Sequence, residues 1–133
     1  MQTVHALARP VRLLIMDVDG VLTDGRIYIR DNGEEIKSFH TLDGHGLKML
    51  QQSGVQTAII TGRDAPSVGI RVEQLGINHY YKGIHDKKAA YADLRAKALD
   101  FSNYNGAEVA FTIGIHNLHI KIECDSLRIL LVH

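Results

Sequence analysis

The sequence predicts an α/β fold built on a doubly wound parallel sheet. Short apolar runs with the length of buried strands alternate along the chain with longer segments of helical character. Parallel pairing follows from this alternation, because a helix between two strands returns the chain to the end of the sheet where it started. With 133 residues, of which 45% are hydrophobic, the chain is long enough for one domain with its own core.

The predicted strands and helices follow one another in a regular order. Buried strands are expected at 11–16, 55–60, 77–81 and 109–113. Helices are expected at 43–53, between Asp64 and Gly76, and at 86–99. Asp43 and Asp64 are the expected N-caps of the first two helices, because an aspartate side chain accepts hydrogen bonds from the free N–H groups at a helix start.

A β-hairpin is expected between the first strand and the first helix, within 26–39. Asn32-Gly33 is a strong signal for a two-residue hairpin turn, and counting outward from it pairs Ile29 with Ile36. This register would place Ile27 beside them on one apolar face. Because an isolated hairpin is only marginally stable in water, we expect this face to pack against another surface. Another copy of the chain is the leading candidate, and the hairpin's own domain is the alternative.

Composition excludes several classes of function. The 15 basic and 15 acidic residues balance, so no overall charge attracts nucleic acid or a membrane surface. The single cysteine excludes an internal disulfide and suits a reducing compartment. The first ten residues lack the apolar core of a signal peptide, and the longest apolar runs are too short to span a bilayer. We therefore expect a soluble cytoplasmic protein.

The most informative segment follows the first strand and begins Asp17-Val-Asp19-Gly. Residues two apart in a strand project to the same side, so Asp17 and Asp19 can converge just beyond the carboxyl end of the strand, where open α/β sheets bind ligands. Two close carboxylates repel each other unless a cation or a shared proton relieves them. The pair therefore favours a divalent metal, with one carboxylate as nucleophile and the other as proton shuttle. Paired aspartates also occur in turns without any chemistry, but a buried strand before them and glycines after them favour a site.

Two further polar features stand near strand ends. Thr61-Gly62-Arg63 follows the second strand, where a hydroxyl group and free backbone N–H groups can hold phosphate oxygens. Lys87 lies at the start of the last predicted helix. Each alone could be a helix-capping turn or a solvated lysine, but a carboxylate pair, a threonine and a lysine at successive strand ends form a much rarer combination.

Together these motifs resemble the haloacid dehalogenase superfamily of phosphotransferases. Within it the chain is similar to the small phosphatases without a cap domain that act on 3-deoxy-D-manno-octulosonate 8-phosphate. The resemblance covers roughly residues 12–99. The motifs that carry it are Asp17 to Gly25, the hairpin, Asp43-Gly-His-Gly-Leu-Lys, Ile60-Thr-Gly-Arg and Gly83-Ile-His-Asp-Lys.

The resemblance implies a Mg²⁺-dependent phosphomonoesterase of lipopolysaccharide precursor synthesis that works through an aspartyl-phosphate. It implies that Asp17 attacks phosphorus and that Asp19 protonates the leaving group and then activates water. Thr61 and the Gly62 amide would hold the phosphoryl oxygens, and Lys87 would neutralise charge. Asp17, with the main-chain carbonyl of Asp19, would bind the metal.

The resemblance also implies a phosphorylated sugar acid as substrate and a homotetramer formed through the 26–39 hairpin. Arg63 is a candidate contact for the anionic sugar, together with Arg26 and Lys82. Nucleic acid and membrane are not expected as partners.

The sequence departs from this family after the fourth strand. The family carries Gly-Asp-Asp there, whereas this chain reads Gly114-Ile-His-Asn, and its next acids are Glu123 and Asp125. We therefore expect a single domain over 1–133 that is incomplete or divergent after about residue 106. A second hypothesis is a catalytically impaired structural or regulatory subunit.

A third hypothesis is a phosphoacceptor receiver domain, which also uses an acid pair, Mg²⁺, a threonine and a lysine. Receivers place their acceptor aspartate on a later strand than the acid pair, whereas Asp17 and Asp19 share one turn here. Their lysine normally precedes a proline, whereas Ala89 follows the lysines of this chain. The receiver reading is therefore weak.

Overall fold

The fold is that of a computed structural model, which describes residues 3, 5, 6, 9–98 and 108–112. None of the helices among these residues is long and apolar enough to cross a membrane. In chain order the elements are β1 (Val11–Met16), β2 (Tyr28–Ile29), β3 (Glu35–Ile36), α1 (Thr41–Gln52), β4 (Gln56–Ile60), α2 (Pro66–Leu75), β5 (His79–Tyr81), α3 (Lys87–Ala98) and β6 (Glu108–Thr112).

The four longer strands form a parallel sheet in the order β5-β4-β1-β6. The chain runs outward from β1 to β4 and β5, and β6 then pairs with the opposite side of β1. The strand order therefore reverses at β1, which confirms the predicted doubly wound arrangement. In open α/β sheets, ligands bind beyond the carboxyl ends of the strands at such a reversal.

Alternating residues of the central strands build a core on each face of the sheet. On one face, Leu13 and Ile15 pack with Leu94 of α3, and all three are at most 2% exposed. On the other face, Met16 and Ile59 belong to a second buried cluster that includes residues of α1 and α2. Helices therefore cover both faces, and β1 is fixed between two apolar layers.

The first helix begins earlier than the sequence predicts. The Nδ1 atom of His40 accepts a hydrogen bond from the Leu42 N–H at 3.1 Å, so His40 caps α1. The prediction of Asp43 as the cap is wrong, because the imidazole already satisfies the free N–H group at the helix start. Asp43 lies instead in the first turn, where a negative charge interacts favourably with the helix dipole.

The predicted cap of the second helix is also wrong. α2 starts after Ala65, which has no side-chain cap, and Pro66 occupies its first turn, where a missing N–H costs nothing. Asp64 turns outward, and its Oδ1 lies 3.0 Å from the Nζ of Lys82. Gly76 ends the helix in the left-handed region at φ 61°, as predicted.

The remaining boundaries agree with the sequence to within two residues wherever they are described. Asp86 caps α3 through its Oδ1, which accepts hydrogen bonds from the N–H groups of Lys88 at 3.1 Å and Ala89 at 3.2 Å. Leu99 and Ile113, which the predicted last helix and last strand included, lie outside the described residues.

The hairpin is present, but its turn is one residue longer than predicted. The Arg30 N–H donates to the Glu34 carbonyl at 2.9 Å, and the Gly33 N–H donates to the Arg30 carbonyl at 2.8 Å. The loop therefore holds residues 31–33, with Gly33 in the left-handed region at φ 84°. Loops of three residues with a left-handed glycine are a common hairpin form, and Asn-Gly fits them as well as the two-residue turn.

The longer turn shifts the register of the hairpin by one residue. Ile29 pairs with Glu35 and Tyr28 pairs with Ile36, so the predicted pairing of Ile29 with Ile36 is wrong. A shift of one residue moves a side chain to the other face of a strand. The predicted single apolar face is therefore wrong as well. Ile27, Ile29 and Ile36 are nevertheless all exposed, at 47%, 67% and 42%.

Truncation of a core residue tests this assignment of the two faces. Leu94→Ala should lower the free energy of unfolding by about 2–5 kcal/mol, because the fully buried side chain would leave a cavity against β1. Leu42→Ala is the matched control, because Leu42 is 72% exposed and its loss should change the value by less than about 0.5 kcal/mol. Urea unfolding at equal protein concentration measures both, and equal losses would contradict the assigned core.

Candidate active site

The acid pair lies where the sheet order reverses. Asp17 directly follows the last residue of β1, and Val18 is fully buried in the core. Because neighbouring side chains alternate in direction, Asp17 and Asp19 turn away from the core, and each carboxylate is 26% exposed. The structure thus brings the two acids to the carboxyl end of β1, as the sequence predicts.

Thr23 holds the loop after the acid pair in a tight turn. Its Oγ1 accepts hydrogen bonds from the N–H groups of Gly20 and Gly25, each at 3.2 Å. The backbone at Gly20 has φ 77° and at Gly25 φ 83°, a conformation that residues with a Cβ rarely adopt. The loop residues therefore serve to turn the chain sharply just beyond Asp19.

Lys87 contacts the first acid across the sheet end. Its Nζ lies 2.6 Å from Asp17 Oδ2, and the Oδ1 of the same carboxylate accepts the Val18 N–H at 2.7 Å. Lys87 is the first residue of α3, and Asp86 fixes that start by capping the helix. The contact joins two candidate site residues that are 70 residues apart in sequence.

Thr61 and Gly62 lie at the end of the neighbouring strand. Met16 pairs with Ile59, so β4 ends beside the acid pair. Thr61 is 1% exposed. Its N–H donates to the Tyr81 carbonyl of β5 at 2.9 Å, and its carbonyl accepts the N–H of Ile84, beyond β5, at 3.0 Å. The turn after β4 is thus rigidly placed at the same edge of the sheet as Asp17.

Two site residues were not predicted from the sequence. The side chain of Lys37 is only 2% exposed, and its Nζ lies 2.5 Å from Asp19 Oδ1 and 3.6 Å from Glu35 Oε2. Glu35 also forms a hydrogen bond with the guanidinium of Arg63, whose Nε is 3.7 Å from Asp19 Oδ2. The signal that sequence reasoning missed is the spacing of Glu35 and Lys37. They are two residues apart at the second strand of the hairpin, so both side chains lie on the same face, and that face is turned towards the acid pair.

The other predicted sugar contacts bind acids elsewhere. Arg26 pairs with Asp24 at 3.4 Å and is 76% exposed. Lys82 pairs with Asp64, and the hydrogen bond and charge of that carboxylate raise the pKa of Lys82. The ion pairs of the two residues therefore involve neither Asp17 nor Asp19.

A cleft of about 530 Å³ opens next to the acid pair. It includes none of the predicted site residues and is lined by Val21 to Asp24, Ser38 to His40, Leu42 and Asp43. The candidate site residues therefore lie at the sheet end, outside the lining of this cleft.

The metal-binding capacity of the described residues rests on the acid pair. Within the described ranges no group of three or more acids, histidines or cysteines could hold a metal ion. Two carboxylates with hard oxygen atoms suit Mg²⁺, which commonly binds through one or two carboxylates, water and substrate phosphate. β6 ends at Thr112, opposite Met16, and the sequence that follows has no acid before Glu123. The predicted departure itself lies outside the described residues.

Comparison with known proteins agrees with this geometry. No protein-family model matches the chain. The 3-deoxy-D-manno-octulosonate 8-phosphate phosphatase KdsC of Escherichia coli (strain K12) is 50% identical over 94 residues, which are 71% of this chain and 50% of that protein. The chain thus spans about half the length of the curated relatives that it matches.

Two solved structures extend the likeness to the fold. The Moraxella catarrhalis phosphatase of the same name, in complex with magnesium, phosphate and KDO, has a TM-score of 0.72 and 36% identity, with 84% of this chain and 63% of that chain covered. The cobalt-bound Haemophilus influenzae phosphatase has a TM-score of 0.70 and 39% identity, with 78% and 58% covered. The chain therefore belongs to the haloacid dehalogenase superfamily, and over about half of their length it is similar to 3-deoxy-D-manno-octulosonate 8-phosphate phosphatases.

Proposed function

We propose that this chain is a Mg²⁺-dependent phosphomonoesterase whose substrate is 3-deoxy-D-manno-octulosonate 8-phosphate. The observation that carries the proposal is the contact between Lys87 Nζ and Asp17 Oδ2 at the end of β1, with Asp19 two residues further on. A carboxylate poised beside a cation at this position suits attack on a phosphate. The names of the similar proteins supply the phosphorylated sugar acid.

The charges of the site explain why a cation is required. Within the described residues, the three acids Asp17, Asp19 and Glu35 stand against three bases, Lys37, Arg63 and Lys87. A site whose own charges largely cancel would receive a phosphate dianion at a high electrostatic cost. Mg²⁺ restores the balance when bound and stabilises the charge that develops on the phosphoryl oxygens.

The roles of the chain's own residues follow from their places. Asp17 attacks phosphorus and becomes an aspartyl-phosphate, while Lys87 stabilises the phosphoryl oxygens beside it. Asp19 protonates the leaving alkoxide and then takes a proton from the water that hydrolyses the intermediate. Thr61 and the Gly62 amide hold the remaining phosphoryl oxygens. The Asp17 carboxylate and the main-chain carbonyl of Asp19 are the groups that would hold the metal.

The substrate's sugar acid carries a negative charge beyond the phosphate. Arg63 is the candidate contact for it, because its guanidinium lies next to Asp19 and is 45% exposed. This activity would supply an unphosphorylated sugar acid for lipopolysaccharide precursors in the cytoplasm. We also propose that residues 1–133 belong to one domain, whose sequence diverges from that of its relatives after about residue 106.

We also propose a homotetramer formed through the hairpin. The hairpin exposes four large apolar side chains, which would be costly to leave in contact with water: Ile27, Tyr28, Ile29 and Ile36. It forms a separate two-stranded sheet, and such ribbons are marginally stable alone. Packing against copies of itself would bury these exposed side chains.

A catalytically impaired subunit is the second candidate function. The specific observation in its favour is the absence of acids between Glu108 and Glu123, which includes the place where the family carries Gly-Asp-Asp. Fewer carboxylates would hold Mg²⁺ more weakly, because cation affinity rises with the number of charged ligands.

Replacement of each acid tests the catalytic roles. Asp17→Asn should abolish phosphate release from 3-deoxy-D-manno-octulosonate 8-phosphate, because the amide is nearly isosteric but a poor nucleophile. Asp19→Asn should lower kcat by about 10²–10⁴-fold through loss of the proton shuttle. Asp93→Asn is the control, because Asp93 pairs with Lys97 on the surface of α3 and should keep full activity. Turnover in the Asp17 variant would refute covalent catalysis.

Restoration of the acids separates the two candidate functions. The chain should bind Mg²⁺ weakly by titration calorimetry and need high metal concentrations for activity. Ile115→Asp combined with His116→Asp should tighten Mg²⁺ binding and raise activity. Ile115→Asn with His116→Asn is the uncharged control. Tight binding and full activity in the unchanged chain would show that the divergence after β6 does not weaken the site.

Charge on the hairpin tests the assembly. Ile29→Glu with Ile36→Glu should dissociate the tetramer, because each new carboxylate would have to be buried in the interface. Ile70→Glu on α2 is the matched control, since Ile70 is 59% exposed and lies outside the hairpin. Sedimentation velocity measures the mass of each species, and a monomeric unchanged chain would refute the proposal.

A further inference from the structure

We propose that Lys37 is a positioning residue that fixes the Asp19 carboxylate for proton transfer. The inference rests on the proposed function, since it concerns the residue that we expect to protonate the leaving group. Lys37 directly follows β3, 18 residues from Asp19 in sequence, and its Nζ lies 2.5 Å from Asp19 Oδ1.

The burial of Lys37 indicates a specific purpose. Lysine is almost never fully buried unless it is paired, because its charge must give up water. Here the side chain is 2% exposed, and two carboxylates, Asp19 and Glu35, face its ammonium group at 2.5 and 3.6 Å. An ion pair on the protein surface would not require the lysine ammonium group to lose its hydration in this way.

The two carboxylate oxygen atoms of Asp19 have different contacts. Oδ1 is held by Lys37, whereas Arg63 Nε lies 3.7 Å from Oδ2, too far for a hydrogen bond. One oxygen atom is thus anchored, and the other remains for a proton. Holding the acid in one orientation lowers the barrier, because the proton donor must meet the leaving oxygen at hydrogen-bond distance.

Glu35 completes the arrangement from the same strand. It binds both Lys37 and Arg63, so its carboxylate ties the ammonium group to the guanidinium group. Ile36 between them is 42% exposed, as the alternation of a strand requires. The face of β3 that carries Glu35 therefore supplies groups that surround Asp19, while Ile36 points the other way and stays exposed.

The contact of Lys37 could instead serve only to fasten the hairpin to the domain. A fastening role predicts an equal loss for every substrate when the lysine is removed. A positioning role predicts a loss that depends on the leaving group, because only a poor leaving group needs a proton from Asp19. The two roles are therefore separable by kinetics.

The experiment compares Lys37→Met with wild type on two substrates. For the sugar acid phosphate, whose alkoxide must be protonated, kcat/KM should fall by about a hundredfold. For para-nitrophenyl phosphate, whose phenolate leaves without a proton, kcat/KM should fall less than about tenfold. Lys97→Met is the matched control, because it removes an exposed lysine–aspartate pair on α3 and should change neither value.

A double variant tests whether Lys37 acts through Asp19, and a second substitution of Lys37 is used if the first does not fold. Asp19→Asn with Lys37→Met should lose no more activity on the sugar acid phosphate than Asp19→Asn alone, because the lysine acts through that carboxylate. If Lys37→Met does not fold, as judged by circular dichroism, Lys37→Arg should show the same dependence on the leaving group. Equal losses on both substrates, or no loss, would overturn the inference.

A crystal structure of Lys37→Met gives a readout that does not depend on activity. The Asp19 carboxylate should leave the position that it holds in the unchanged chain, and an unmoved carboxylate would overturn the inference. The proposed function fails in a different way, through an inactive wild type or an active Asp17→Asn variant. The two failures are therefore distinguishable.

Discussion

The arrangement of this site follows from the mutual repulsion of two carboxylates held at the end of one strand. β1 is fixed between two apolar layers, so Asp17 and Asp19 cannot move apart without disturbing the core. Each acid is therefore met by a lysine from a distant part of the chain, Lys87 from the start of α3 and Lys37 from the hairpin. Close ion pairs of this kind offset the cost of keeping partly buried charges next to one another.

The topology determines where those cations come from. Because all four main strands are parallel, the ends of β1 and β4 and the start of α3 meet at one edge of the sheet. Lys87 contacts Asp17 by this route, and Thr61 lies at the end of the neighbouring strand. Lys37 reaches it by another, because the hairpin inserted after β1 folds back over the strand end. The same hairpin that would join copies of the chain thus carries residues of the site.

Much of the fold and part of the site could be predicted from local patterns. The apolar runs of β1 and β4 and the alternation of side chains were enough to locate Asp17 and Asp19, and Asp86 marks the helix start that carries Lys87. The hairpin register could not be derived, because Asn32-Gly33 suits turns of two or three residues and one residue decides which face Glu35 and Lys37 occupy. The cap of α1 was missed because a histidine, whose side chain is seldom a cap, precedes an aspartate that is commonly one.

The most direct test of the account is to find the phosphorylated residue. The Asp19→Asn variant, which should form the intermediate but hydrolyse it slowly, is mixed with para-nitrophenyl phosphate and Mg²⁺ and quenched with borohydride. Reduction converts an aspartyl-phosphate into homoserine, which mass spectrometry locates in the sequence. The account predicts homoserine at position 17 and nowhere else. An unmodified Asp17 in a variant that still releases para-nitrophenol, or modification at another residue, would contradict it.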